Sequence, residues 1–225
     1  MSKNIKKITH GINLLHGVAM IAAIAYVLSW IIGLSLNTPI HSLSLNATSQ
    51  QITNAFAGHQ TAVALQFGFT EVVAGLMLAI MVLAVATLAR KAGAKQSSQL
   101  LLITGLTTAT LSIVMGMLGL WLIYFIIPGG DTTNIQQIYN IINRIDGPKM
   151  WLLAAMALSS IGLAAHGVIP IWLKYVGIAL AVALLFSGIA YGLLINNFAW
   201  TAYISGVLLL FWVGAVGITA QAETK

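Results

Sequence analysis

Six long apolar stretches, separated by short polar breaks, make up most of this chain. They cover residues 12–36, 61–89, 100–127, 149–168, 171–195 and 198–219. A hydrocarbon core of about 30 Å requires roughly 20 apolar residues in a helix, so each stretch is long enough to cross a bilayer. The pattern predicts an all-α fold: a polytopic transmembrane bundle of six helices that forms a single domain over residues 1–225.

The breaks between these stretches contain residues that end helices. Gly93 follows the second stretch, Pro128 and two glycines follow the third, and Pro170 precedes the fifth. The sequence GVIP at 167–170 could instead kink one long helix. Such a helix would run for about 47 residues, roughly twice the length of a span, so we predict two spans here.

Composition agrees with a membrane location. Hydrophobic residues make up 59% of the chain and charged residues only 6%, which excludes a soluble globular domain and a nucleic-acid-binding surface. The chain has no cysteine, and this excludes disulfides, thiolate metal sites, iron–sulfur clusters and cysteine nucleophiles. No nucleophile motif such as GxSxG is present, so an enzymatic function is disfavoured. The expected partner of so apolar a chain is the lipid bilayer.

Basic residues predict the orientation of the bundle, because short cytoplasmic loops retain positive charge. With a cytoplasmic N-terminus, the basic residues on the outside are Arg144 and Lys149. The other eight basic residues are then cytoplasmic: Lys3, Lys6, Lys7, Arg90, Lys91, Lys95, Lys174 and Lys225. We therefore predict a multi-pass protein of the cell (inner) membrane with both termini in the cytoplasm.

The loop after the third span contains a helical pattern. In DTTNIQQIYNIINRID, at 131–146, isoleucines recur at helical spacing with polar residues on the other faces. This predicts a short amphipathic interfacial helix, which could serve as a surface brace or as a lid. Asp146 and Lys149 then stand at the start of the fourth span. They could pair at the outer surface, or Asp146 could cap the fourth helix with Pro148 in its first turn, and we favour the cap.

Glu71 is the feature of the second span that most needs an explanation. Ten residues past Thr61, at 1.5 Å each, it lies about 15 Å below the outer end of the span, near the middle of the bilayer. A charge there costs roughly 2.5–3.5 kcal/mol on insertion scales, so we expect Glu71 to face the bundle interior as a neutral or proton-sharing carboxyl. The predicted polar lining around it is Gln66, Thr70, Thr108 and Ser112. Alternatively, Glu71 bonds a neighbouring helix and has only a structural role.

Small residues predict where helices pack closely. In the third span Gly105, Ser112 and Gly116 form one stripe together with Ala109 and Gly119, and in the fifth span Gly188 and Gly192 form a GxxxG pattern. Most such stripes serve packing within one bundle. They could also bind a second copy of the chain or another membrane protein.

Two histidines could hold a cofactor. His16 in the first span and His166 at the end of the fourth are both predicted toward the cytoplasmic side, and two histidines at one depth can be the axial ligands of a haem b. A lone histidine near a span end is more often a hydrogen-bonded interfacial residue, so the sequence requires no cofactor. His41 and His59 lack the HxxxH or HxxE spacing of a metal site, and no metal is predicted.

The second half of the chain resembles a broad set of uncharacterised bacterial six-span membrane proteins. The likeness covers about 146–218 and rests on Asp146 and Lys149 at the start of the fourth helix, on Pro170 and Trp172 at the start of the fifth, and on the FWVGAVG run at 211–217. It implies a six-span fold and a bacterial membrane. These families have no assigned activity, so the resemblance implies no mechanism.

Three functions fit these features. The preferred one is permeation or transport of a small solute or a proton, with Glu71 as an intramembrane protonatable group. The second is a structural or accessory subunit of a membrane complex, in which Glu71 bonds a neighbouring helix. The third is a haem-binding electron carrier that uses His16 and His166.

Overall fold

A computed structural model describes residues 2–36 and 38–222, and of residues 2–10 and His41 it describes only the backbone. The side chains of Lys3, Lys6 and Lys7, and the whole of Lys225, therefore lie outside the described part of the chain. The helices are α1 Ser2–Ser35, α2 Ser49–Phe56, α3 Gln60–Phe67, α4 Ala74–Lys91, α5 Lys95–Trp121, α6 Ile127–Gly129, α7 Thr132–Leu158, α8 Ser160–Ala165, α9 Ile171–Gly192 and α10 Thr201–Thr219. Two π-helical segments, Gly68–Val73 and Leu122–Ile126, join α3 to α4 and α5 to α6.

Within the described residues these elements form six helices long and apolar enough to cross a membrane, and no strand. The spans are Gly11–Ser35, Gln60–Lys91, Lys95–Gly129, Thr132–Ala165, Ile171–Gly192 and Thr201–Thr219. The predicted all-α six-span bundle is therefore confirmed. The protein is an integral, multi-pass membrane protein whose solvent is the lipid bilayer, because only such a solvent accommodates so much exposed apolar helix surface.

The six spans form a closed ring in chain order. Each span packs against the spans before and after it, and the sixth packs against both the fifth and the first. Short loops join most neighbours, so successive spans run in opposite directions. Glycines with left-handed backbone lie at three of these reversals: Gly93 at φ +88° after α4, Gly130 at φ +69° after α6, and Gly167 at φ +69° before α9 begins at Ile171. The predicted break at 167–170 is present.

The fourth span begins earlier than the sequence indicated. Helix α7 runs from Thr132 to Leu158 without interruption and includes Pro148. The segment predicted as a separate interfacial helix is helical, but it is the first half of this long helix, and Ile135, Ile138 and Ile142 are buried against Ile52 and Phe56. The predicted Asp146 cap is therefore wrong. Asp131 caps α7, accepting a hydrogen bond from the backbone N–H of Asn134 at 3.1 Å.

One end of the ring is covered by an ordered segment, residues 43–46, which we call the strap. The Tyr139 hydroxyl donates to the carbonyl of Ser44 at 3.1 Å, and the Asn143 amide donates to that of Leu45 at 2.9 Å. The Asn196 side chain accepts from the Leu45 N–H at 2.7 Å and donates to Asn46 Oδ1 at 2.9 Å. We call this the strap end. The opposite end, where Arg90, Lys91 and Lys95 lie, is the basic end.

Candidate functional site

Three charged side chains meet inside the ring and form what we call the ion triad: Glu71, Asp146 and Lys149. Lys149 Nζ donates to both carboxylate oxygens of Glu71, at 3.1 Å and 3.0 Å. It also lies 2.7 Å from Asp146 Oδ1, an ion pair within one helix turn. One ammonium therefore serves two carboxylates, and its contact to Glu71 joins residues 78 positions apart in the chain.

The triad is buried and bridges the ring. Glu71 is 7% exposed and Lys149 5%, while the Asp146 side chain is 17% exposed. Glu71 belongs to the second span and Lys149 to the fourth, which are separated by the third in the ring. Lys149 lies 16 residues before the end of the fourth span, or about 24 Å along the helix, which is a membrane-interior depth. The ion pair thus crosses the interior of the bundle within the membrane.

Local helix geometry positions each of the three groups. Glu71 lies in the π-helical segment Gly68–Val73, and such single wide turns within α-helices occur frequently at functional sites. Asp146 and Lys149 are three residues apart on α7, so they share one face. Pro148, between them, has no N–H to donate to the carbonyl of Arg144 one turn earlier, which weakens the helix at the triad.

Glycines on the third, fourth and fifth spans allow this close approach. A Cβ at Gly116 on the third span would lie 3.1 Å from the Cβ of Glu71, and a Cβ at Gly147 would lie 2.7 Å from the Cα of Gly192 on the fifth span. Of the other predicted packing residues, Gly105 contacts Val82, and Ser112 contacts Gly75. Gly188 contacts Trp151. These small residues pack against partners within the same chain.

Charge balance distinguishes the triad from an ordinary ion pair. With all three groups ionised, two carboxylates and one ammonium sum to −1 inside the membrane. An uncompensated charge at that depth costs several kcal/mol, roughly 2.5–3.5 on insertion scales. A proton on one carboxyl, or one further monovalent cation, makes the cluster neutral. Tyr26 on the first span and Tyr191 on the fifth are close enough to interact electrostatically with it.

The structure separates the predicted polar lining of Glu71 into two groups. Ser112 makes a side-chain contact with the Glu71 carboxylate, and Thr108 lies one turn from Ser112 toward the basic end. Gln66 and Thr70 instead face the strap side and the first span. Gln66 accepts a hydrogen bond from Thr38, and Thr70 donates to the backbone carbonyl of Gln66 at 2.8 Å.

The other two members of the ion triad, Asp146 and Lys149, are predicted from the sequence at the outer start of the fourth span and not inside the bundle. Lys149 was predicted outside the membrane, but it is buried, because α7 begins at Thr132 and Lys149 is therefore about 25 Å into the helix. One sequence signal could have indicated this. The isoleucine periodicity of 135–145 continues in phase to Asp146 and Lys149, as expected for one uninterrupted helix, although a proline at position 148 also favours a helix start there.

The two histidines lie near the basic end and bond to backbone carbonyls. His16 Nδ1 is 2.8 Å from the carbonyl oxygen of Ala220, and His166 Nδ1 is 2.8 Å from that of Gly162. Gln221, next to Ala220, donates its N–H to the carbonyl of Val168 at 2.9 Å, so both histidines border the same region. Because a carbonyl oxygen accepts a hydrogen bond from Nδ1, the other ring nitrogen, Nε2, is the one that could bind a metal. Haem ligation by these histidines stays a prediction.

Comparison with known proteins gives no match. The chain matches no protein-family model, no curated protein and no solved structure. The resemblance to uncharacterised bacterial six-span proteins therefore stays a prediction. Among the described residues, no group of three or more histidine, aspartate or glutamate side chains is arranged to hold a metal ion.

Proposed function

We propose that this protein transports protons, or a small solute together with protons, across the membrane, and that the ion triad is the group that exchanges the proton. The observation that supports this proposal is one buried ammonium that pairs with a carboxylate of its own helix and, across the ring, with a carboxylate of the second span. In this cluster one ammonium balances only one of the two carboxylates. The remaining negative charge favours the binding of a proton or another cation.

The surroundings of the triad fit a central exchange site. Toward the strap end, polar hydrogen bonds close the bundle, and these can break and re-form at low cost. Toward the basic end lies a buried apolar layer. It includes Leu78, Met81, Leu153, Met156 and Trp212. A transporter needs barriers between its site and the two aqueous sides of the membrane, because a continuous open path would dissipate the ion gradient.

The test is proton flux in proteoliposomes. Glu71→Gln removes one exchangeable carboxyl while keeping its shape, so we expect flux to fall at least tenfold. The matched control is Asp131→Asn, which also removes one acidic charge but lies at the exposed start of α7, where asparagine caps a helix equally well. Flux of Glu71→Gln equal to that of wild type at every pH would refute the proposal.

A structural role is the second candidate, and the same ion pair supports it. Lys149 and Glu71 join two spans that are not adjacent in the ring, and Gly116 and Gly147 pack tightly on either side. An accessory subunit would use the triad to fix its shape for a partner. Native purification then recovers a stoichiometric membrane partner, whereas a homogeneous preparation of this chain alone with intrinsic flux supports transport.

We propose a cytoplasmic location for the basic end and for both termini, in the inner membrane of a bacterium, from the distribution of Lys and Arg. The chain has no cysteine, so single-cysteine variants can report the orientation directly. In intact cells a membrane-impermeant maleimide should label Asp131→Cys at the strap end and spare Lys91→Cys at the basic end. Labelling in the opposite sense would invert the topology.

A further inference from the structure

Thr108, on the third span, carries a buried hydroxyl that has no partner. The residue is 1% exposed, and its Oγ1 makes no hydrogen bond within the described part of the chain. Its neighbours behave differently. Thr104 donates to the carbonyl of Leu100 at 2.7 Å, and Thr110 donates to that of Leu106 at 2.9 Å, the usual arrangement for threonine in a membrane helix.

Burying a hydroxyl without a hydrogen-bond partner lowers the stability of a protein by about 1–3 kcal/mol. An unpartnered hydroxyl at this position therefore calls for an explanation. Thr108 is four residues before Ser112, which puts the two side chains on one helix face about 6 Å apart along the axis. Ser112 contacts the Glu71 carboxylate. The free hydroxyl therefore lies one helix turn from Ser112, on the same face of the third span.

We propose that Glu71, Asp146, Ser112 and Thr108 form a binding site for one alkali-metal cation. Two arguments support this. The triad has one negative charge in excess when its groups are ionised, and a monovalent cation neutralises it. Carboxylate and hydroxyl oxygens are the ligands that hard cations take in place of water. The inference rests on the proposed function and deepens it, because the bound cation and the exchanged proton would compete for the same carboxylates.

Within the described part of the chain, the competition with protons involves the charged and titratable groups that interact with Glu71 or with the other members of the triad. These are Lys149 and Asp146 on the fourth span, Tyr26 on the first and Tyr191 on the fifth. Cation binding requires both carboxylates to be ionised. The apparent Kd of the cation should therefore increase as the pH falls, by up to tenfold per pH unit when one proton competes with one cation.

The experiment measures cation-dependent stability of the full chain in detergent. The thermal unfolding midpoint is recorded while NaCl, KCl or LiCl replaces choline chloride at constant ionic strength. A ligand that binds only the folded state raises the midpoint with a saturable dependence on its concentration. We expect such a rise with at least one of the three cations, and a cation-independent midpoint would overturn the proposal.

Two isosteric variants assign the effect to the site. Thr108→Val removes the unpartnered hydroxyl and should raise the apparent Kd of the cation at least tenfold. The matched control is Thr110→Val, at an exposed position where the hydroxyl bonds its own helix, and it should leave the Kd unchanged. Equal Kd values for the two variants would place the cation elsewhere and refute the site.

Misfolding can be separated from loss of binding. Without alkali cations, Thr108→Val should unfold no earlier than wild type, because valine leaves no hydroxyl unpaired. Ser112→Ala is a second variant with the same expected loss of binding. Binding without proton flux would refute the proposed transport and keep the site, whereas proton flux without cation-dependent stability would refute the site and keep the transport.

Discussion

The ion triad makes a prediction in which the effect of one substitution changes sign with its background. Lys149→Met removes the ammonium and leaves Glu71 and Asp146 as two carboxylates without a cation. Each attraction lost corresponds to about 5 kcal/mol, from unit charges at about 3 Å with an effective dielectric constant of 20. Protonation and relaxation offset part of this, so we expect a loss of about 3–5 kcal/mol in the free energy of unfolding.

Glu71→Gln should cost much less in the wild-type background. Lys149 keeps its contact to Asp146, the glutamine carbonyl can still accept a hydrogen bond from the ammonium, and the excess negative charge is gone. The expected loss is at most about 2 kcal/mol, the contribution of one hydrogen bond to a charged group. In the Lys149→Met background the same change removes one of two uncompensated carboxylates, so it should increase stability.

The assay is equilibrium unfolding in mixed micelles of wild type, both single variants and the double variant. A double-mutant cycle isolates the coupling between the two side chains. The reasoning predicts that Lys149→Met with Glu71→Gln is more stable than Lys149→Met alone. A double variant less stable than Lys149→Met would refute it, since Glu71 would then stabilise the bundle by contacts other than charge.

Two further predictions concern packing and the histidines. Gly147→Ala should destabilise the bundle by about 1–3 kcal/mol, because its Cβ would lie 2.7 Å from the backbone of the fifth span, whereas Gly206→Ala, with nothing within 4 Å, should not. Equal unfolding midpoints would contradict this packing. If His16 and His166 bind haem, the purified protein shows a Soret band that sharpens on reduction with dithionite and is lost in His166→Ala. A featureless spectrum discards the haem hypothesis.

The fourth span shows which helix boundaries a sequence pattern can predict and which it cannot. The isoleucines at 135–145 correctly indicated a helix, and the apolar run after Lys149 correctly indicated a span. Pro148 was interpreted as a helix start, because proline is favoured in a first turn. Proline is also tolerated inside membrane helices when neighbouring groups bond the freed carbonyl, and nothing local in the sequence distinguishes the two cases.

The sequence by itself determined that the molecule is a helical membrane protein and that Glu71 lies at a depth where a charge is energetically unfavourable. Span number follows from the length of the apolar runs, since the bilayer thickness sets a minimum that each run meets. Glu71 was identified as an intramembrane acid from its distance to the end of its own span. Both are properties of short segments, and they depend on the medium rather than on distant residues.

Only the tertiary structure decided what Glu71 contacts. The depth of Lys149 depends on where α7 begins, and the pairing depends on a ring in which the second and fourth spans face each other past the third. Thr108 and Thr110 look alike in the sequence, yet one is buried without a partner and the other bonds its own helix at the surface. These differences arise because burial and pairing are set by residues far apart in the chain, which one helix alone does not specify.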